Sequence, residues 1–256
     1  MIVLGFDTST PATAIGLRLP DGATLQARDD PRPGERPGHA TRLLPLAADL
    51  LARAGLRFAD VQRIAVGVGP GTFTGLRIGV ASARGLAQSL DAQLVGVSSL
   101  QALALPAANG PECAGKGVLA LIDARRGEAF AAAYAPAERP APAAREPIPP
   151  RELASPRALA PTRFKEVLDE AAADGDGLEG WVAVGNGAAL HRDALRALAL
   201  TVPADDSPLH LVSGEAICAL GSAGVAQELD TVLPDYRRRP DAELALEHAA
   251  AAGAGA

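Results

Sequence analysis

Cysteine is nearly missing from this 256-residue chain: Cys113 and Cys218 stand far apart, and two thiols so spaced support neither a disulfide framework nor a thiolate zinc site. A reducing compartment fits that usage best. Histidine is almost as sparse. His39, His191, His210 and His248 form no His-x-x-x-His pair and have no carboxylate nearby at zinc-ligand spacing, so no metal site is assigned. Long apolar runs are lacking too, since nothing approaches the roughly 20 residues needed to span a bilayer. The opening Met1-Ile2-Val3-Leu4-Gly5-Phe6-Asp7 has no basic stretch and meets an acid at once, which reads as a strand and not as a signal peptide. No membrane association and a cytoplasmic location are therefore expected. Positive charge is in deficit as well: 24 basic against 30 acidic residues leave a net charge of -6. Such a surface does not hold nucleic acid unaided by neutralising phosphates, so any role on RNA needs a basic partner. The only lysines are Lys116 and Lys165; with the abundance of Arg, Ala and Pro this reads as codon bias and says nothing about function.

What is present suits a folded core, because 48% apolar and 21% charged residues over this length fit one large domain or two small lobes. Apolar runs at 2–6 and 12–19, the Asp21-Gly22 turn and a stretch at 23–28 predict three antiparallel strands. Pro31, Pro33 and Pro37 with two glycines make 29–38 an exposed loop. Leu43, Leu46, Ala47, Leu50, Leu51 and Ala54 then follow helical spacing from His39 to a stop at Gly55, with Pro45 in the first turn or kinking the helix. A buried strand at 64–68, a helix at 74–90, a strand at 93–97 and a helix capped by Ser98 or Ser99 and running through Ala104 complete this half. A second unit opens with a hairpin of 117–122 and 128–134, and its start with a strand hairpin, as in the first half, suggests duplication. Eight of the 21 prolines fall in 136–161, which is expected to be an irregular insertion. Helices at 162–173 and 188–200 flank a strand at 181–184, and 213–229 reads as a further helix. The expected organisation is an N-terminal lobe of 1–104 plus 213–232, a smaller lobe of 105–212 and a disordered Ala-Gly tail of 241–256.

Gly5-Phe6-Asp7-Thr8-Ser9-Thr10 places an acid and three hydroxyls at a strand turn, where Thr8 and the backbone could receive phosphate and Asp7 could hold magnesium. Ordinary turn chemistry explains the same residues. In Gly69-Pro70-Gly71-Thr72-Phe73-Thr74-Gly75-Leu76-Arg77-Ile78-Gly79 a strand enters a glycine turn and Thr72 or Thr74 caps the outgoing helix. It is neither a Walker loop nor a dinucleotide fingerprint. Gly75 with Gly79, and Ala81 with Gly85, are small-x-x-x-small pairs that admit either a partner helix or the protein's own core. Arg77 and Arg84 share a helix face, where they can meet acids across an interface or simply meet solvent. Gly185-Asn186-Gly187 after the strand at 181–184 suits either a nucleotide cradle or a plain strand-to-helix turn. Asp123, Arg125 and Arg126 sit in the hairpin turn, and Ser98 and Ser99 lack a Gly-x-Ser-x-Gly frame.

Gly5-Phe6-Asp7-Thr8-Ser9, the 69–79 segment, Ile122-Asp123-Ala124-Arg125-Arg126-Gly127-Glu128 and Pro234-Asp235-Tyr236-Arg237-Arg238 occur in the order found in the bacterial TsaB (YeaZ) family, which the chain resembles up to about Asp241. The resemblance implies an α/β fold with two lobes, actin-like and hexokinase-like (ASKHA), each lobe a mixed sheet with helices. It implies a non-catalytic subunit needed for threonylcarbamoyladenosine in tRNA, with no catalytic residues of its own. The implied partners are the TsaD transferase, which this subunit would scaffold and activate, and the ATPase TsaE, with tRNA engaged only through the complex. Self-association when the partner is absent stays open. The docking helices would be 39–54 and 74–90, with Leu76, Arg77, Gly79, Val80 and Arg84 at the interface. Asp7, Thr8, Gly185 and Gly187 would mark a degenerate nucleotide site, with no tightly bound cofactor and at most weak ATP or ADP binding. The competing reading is a small-molecule kinase of the same fold, using Asp7 for magnesium and 185–187 for nucleotide.

Overall fold

The computed structural model describes residues 1–32, 34–137, 147–174 and 178–237. Strands β1 (Val3–Asp7), β2 (Thr13–Arg18) and β3 (Thr24–Asp29) pair antiparallel in a meander, and Gly22 at φ +91° makes the expected turn. Helix α1 (His39–Arg53) leads to β4 (Arg63–Gly69), which returns parallel to β1. Pro45 lies in its second turn and not its first; its ring points to solvent, where the missing N–H leaves a carbonyl that water can satisfy. Helix α2 (Phe73–Leu90) carries the chain to β5 (Gln93–Ser98), parallel to β4, and the sheet order is β3-β2-β1-β4-β5.

Helix α3 (Ser99–Asn109) follows, capped by Ser98, whose hydroxyl accepts from the Gln101 N–H. It runs five residues beyond the expected stop at Ala104, across the expected lobe boundary. Leu100, Leu103, Leu105, Ala107 and Ala108 are all buried, so α3 is apolar around most of its circumference and has to be covered there, while Pro106 and Asn109 stay exposed. The second sheet has the order β8-β7-β6-β9, built from β6 (Gly117–Arg125), β7 (Glu128–Tyr134), β8 (Glu152–Leu159) and β9 (Trp181–Val184). It repeats the first: two antiparallel pairings, then a parallel strand added beside the first of the three.

Three expectations need correction. The proline-rich stretch 136–161 is not irregular throughout, because 152–159 form β8. That strand tolerates Pro156 because it is an edge strand and because the register slips between Ala131 and Ala133, leaving Pro156 at a bulge with no ladder bond to donate. The helix expected at 188–200 is two, α5 (Asn186–Leu190) and α6 (Arg192–Ala197), broken at His191. The helix expected at 213–229 stops as α7 (Gly214–Ala223) at Gly224, because Gln227 pairs with the edge of β5: its N–H donates to the Leu94 carbonyl and its side-chain carbonyl accepts from Gly96 N–H. Residues 138–146 and the tail of 241–256 lie outside the described residues.

The elements stack in five layers. Helices α1 and α2 cover one face of the first sheet through Leu43, Leu50, Leu51, Val80 and Ala83 against Leu4, Phe6, Ile15 and Val66. Helices α3 and α7 lie between the two sheets, in a core shared by Val95 and Val97 of one and Val118, Ile122, Phe130 and Tyr134 of the other. Helix α4 (Phe164–Asp174) and α5 close the far face over Leu119 and Leu121. Helix α7 can lie so close only through glycine: a Cβ on Gly16 would come 2.4 Å from the Gly214 carbonyl oxygen. Among the described residues no helix is long and apolar enough to cross a membrane.

Candidate functional site

Two regions receive the residues singled out by sequence: helix α2 and the ends of strands β1 and β9. The α2 helix starts where Thr72 N–H donates to the Ser9 carbonyl at 2.7 Å, and Thr72 occupies the cap position without a side-chain cap bond. Burial then divides α2 cleanly. Gly75, Leu76, Gly79, Val80, Ala83 and Ala87 face inward, while Thr74, Arg77, Ala81, Gly85 and Gln88 are exposed and Arg84 is half-buried.

The two small-residue pairs therefore do different things. A Cβ on Gly75 would fall 2.0 Å from the Thr8 carbonyl oxygen, and one on Gly79 would fall 2.3 Å from Thr8 Oγ1. Thr8 donates its hydroxyl proton to the Gly75 carbonyl at 2.7 Å, so this pair seats the β1–β2 turn. Gly79, with Leu76 and Val80, is thus corrected from interface to own core: the bulky side chains at 76 and 80 are 0% and 3% exposed. Ala81 and Gly85 form the outward pair, and a Cβ on Gly85 would meet nothing within 4 Å.

Arg77 is the most constrained side chain of the outer face. Its guanidinium carbon sits 3.8 Å from the Phe73 ring centroid, one turn earlier, and its Nε donates to the Tyr236 hydroxyl at 2.9 Å. The Phe73 and Tyr236 rings lie 5.0 Å apart. The segment carrying Tyr236 is pinned by Asp235 N–H donating to the Val68 carbonyl at 2.7 Å. Sequence reasoning missed this stack, because its partners are 159 residues apart, in two motifs whose spacing does not show that they meet.

Asp7, 1% exposed, is held by three hydrogen bonds from its own chain. It accepts from Ser9 N–H at 2.8 Å, from the Ser9 hydroxyl at 2.6 Å and from the Ser99 hydroxyl at 2.5 Å. Ser99 in turn accepts from Gly69 N–H, which ties β1 to the end of β4. The sequence offers Ser99 only as an alternative cap of α3, a role that Ser98 takes, and only the sheet order brings Ser99 to Asp7. At the end of β9, Gly185 (φ +104°) leaves no room: a Cβ there would sit 2.0 Å from the Leu121 carbonyl oxygen. Gly187 packs on Leu121 and Ile122, while Asn186 accepts from Asp123 N–H at 3.1 Å. Gly185 and Gly187 thus form a turn stapled to β6 and not an open cradle, and no hydrogen bond joins them to Asp7 or Thr8 among the described residues.

His39, 3% exposed, opens α1 facing inward, with Nδ1 2.9 Å from Thr13 Oγ1 and Nε2 without a partner. Burial lowers its pKa, against the pull of Asp7 and Asp29. Among the described residues no group of three or more His, Cys, Asp or Glu could hold a metal ion.

The family model for TsaD, the tRNA N6-adenosine threonylcarbamoyltransferase, matches residues 35–253. The Escherichia coli K12 tRNA threonylcarbamoyladenosine biosynthesis protein TsaB is 40% identical over 136 residues, 52% of this chain and 55% of that protein. The chain thus spans about half the length of the curated relatives it matches. A structure of YeaZ from Pseudomonas aeruginosa superposes with a TM-score of 0.68 at 29% identity, over 92% of this chain and 99% of that one. A second structure, of an uncharacterized Pseudomonas aeruginosa protein with similarity to peptidase YeaZ, gives 0.69 at 30% identity over 93% and 99%. The two-lobed α/β architecture with a mixed sheet in each lobe, the family model over residues 35–253 and the structural match at 30% identity over 93% of the chain place it in the TsaB (YeaZ) family.

Proposed function

We propose that this chain is a non-catalytic subunit required for threonylcarbamoyladenosine formation in tRNA, acting in the cytoplasm by docking on the TsaD transferase and favouring its active conformation. The observation that carries this reading is the kinship with proteins named for that biosynthesis, at 40% identity in the relative from Escherichia coli. The outward face of α2 supports the docking: Ala81 and Gly85 permit close approach, and Arg77 and Arg84 lie beside them. TsaE joins the complex in this reading, tRNA is held through the partners, and a pair of α2 faces can meet in a homodimer when TsaD is absent. A coupling of roughly 1–3 kcal/mol between docking and TsaD activity is the ordinary scale for such activation.

The kinase alternative is not favoured. Asp7 already accepts three hydrogen bonds, and the backbone at Gly185 and Gly187 packs on β6, so nucleotide binding is expected to be weak and no cofactor is held tightly. The test is reconstitution: TsaD, TsaE, threonylcarbamoyl donor and tRNA with and without this chain, read as modified nucleoside by mass spectrometry. Product should rise with the chain present; unchanged product overturns the proposal. Calorimetry of the chain alone with ATP and magnesium separates the alternatives, since micromolar affinity accompanied by phosphoryl transfer favours the kinase.

A further inference from the structure

Helix α2 carries Arg77 and Arg84 but no Asp or Glu in its 18 residues, within a chain whose net charge is -6. Neither arginine makes an ion pair among the described residues. Seven residues separate them, so along the helix they stand about 10 Å apart on one face, with Ala81 between. This local excess of positive charge on a small-residue surface is complementary to an acidic stripe.

Arg77 is prepared for such a contact. Its planar guanidinium is stacked on Phe73 at 3.8 Å and fixed along one edge by Nε donating to the Tyr236 hydroxyl at 2.9 Å. The two terminal nitrogens hydrogen-bond to nothing among the described residues, which leaves the fork that pairs with a carboxylate turned outward. An arginine already held in one rotamer loses less entropy on binding than a free one.

We infer that Tyr236 is a positioning residue that holds Arg77 ready for a carboxylate on the docked subunit, and that the surface accepted by α2 presents two carboxylates about one helical heptad apart. This rests on the proposed docking to TsaD and deepens it. The residue that sets the arginine lies 159 residues further along the chain, so the segment around Asp235 and Tyr236 contributes to docking without the partner having to touch it.

The test is calorimetry of the full chain with TsaD, comparing the unaltered protein, Tyr236→Phe, Arg77→Ala and the double variant, each checked for an unchanged thermal midpoint. Tyr236→Phe keeps the ring on Phe73 and removes only the hydroxyl; its affinity should fall roughly 2- to 10-fold. Arg77→Ala should cost about tenfold or more, and the double variant should be no weaker than Arg77→Ala alone. Affinity of the unaltered chain should also fall as salt rises, with a shallower dependence once Arg77 and Arg84 are both replaced by alanine. Full affinity in Tyr236→Phe, an equal penalty with Arg77 already removed, or salt-independent binding overturns the inference while leaving the docking intact. Failure of the unaltered chain to bind TsaD overturns both.

Discussion

His39 shows how a single buried side chain makes the fold sensitive to pH. Its imidazole opens α1 facing inward, bonded to Thr13 through Nδ1, and burial lowers its pKa below the usual value of 6.5. The unfolded chain therefore binds a proton at a pH where the folded chain still refuses it, and stability rises with pH across that interval. The contribution is complete above the unfolded pKa and shrinks as pH falls toward the folded one. Thermal midpoints measured from about pH 7.5 down to about pH 5 should decline, and His39→Asn should flatten the decline; an unaltered slope in that variant refutes the assignment. Sequence places His39 at a helix mouth, where a capping or surface role is the ordinary expectation, but its inward orientation depends on β2 passing beneath it.

At the scale of elements, α2 carries the clearest contrast. Spacing alone finds the helix and both small-residue pairs, yet cannot say which pair faces the sheet, since Gly75-x-x-x-Gly79 and Ala81-x-x-x-Gly85 look alike until β1 and its turn occupy one side. Gly79→Leu is expected to destabilise the monomer by about 1–3 kcal/mol, because its side chain has to enter space held by Thr8. Leu76→Ala is expected to cost about 2–5 kcal/mol, because truncating a fully buried side chain leaves a cavity. Gly85→Leu should leave the fold intact and reduce TsaD binding. Denaturant melts read against pull-down of TsaD check the pair: a stable Gly79→Leu monomer contradicts the packing, and full binding by Gly85→Leu contradicts the docking face. The β8 strand teaches a similar lesson. Its proline argues against regular structure when counted with its neighbours, but an edge position and a bulge remove the hydrogen bond that Pro156 lacks. Likewise α7 is cut short by Gln227, whose contact with β5 bridges more than 130 residues of chain.

For the whole molecule the decisive feature is the middle layer. Helix α3 packs on both sheets, and α7 packs on the first sheet and on α3, in one apolar cluster that runs from Val95 and Val97 to Phe130 and Tyr134. Lobes joined by a continuous core should unfold together. Trp181, the single tryptophan, lies on β9 in the second sheet, so its fluorescence reports that lobe while far-ultraviolet circular dichroism reports both. The two signals are expected to give one coincident urea transition; midpoints separated beyond error show independent lobes. At this scale the sequence was legible in its broad plan, because a strand hairpin opens each half and the family motifs follow in order. The repeat itself was faint, since what recurs is the pairing order of strands and not the residues that form them.

The sequence by itself determined the strands and helices whose apolar period is strong, the absence of a disulfide framework, the family, and which residues were worth watching. Those properties are written in nearest-neighbour spacing and composition. Only the tertiary structure decided what each watched residue does: Asp7 is held by Ser99 from 92 residues away, Gly79 is closed over Thr8, and Arg77 is aimed by Tyr236. Side-chain direction and partner identity depend on which distant segment arrives on which face, and a one-dimensional pattern carries no term for that arrival.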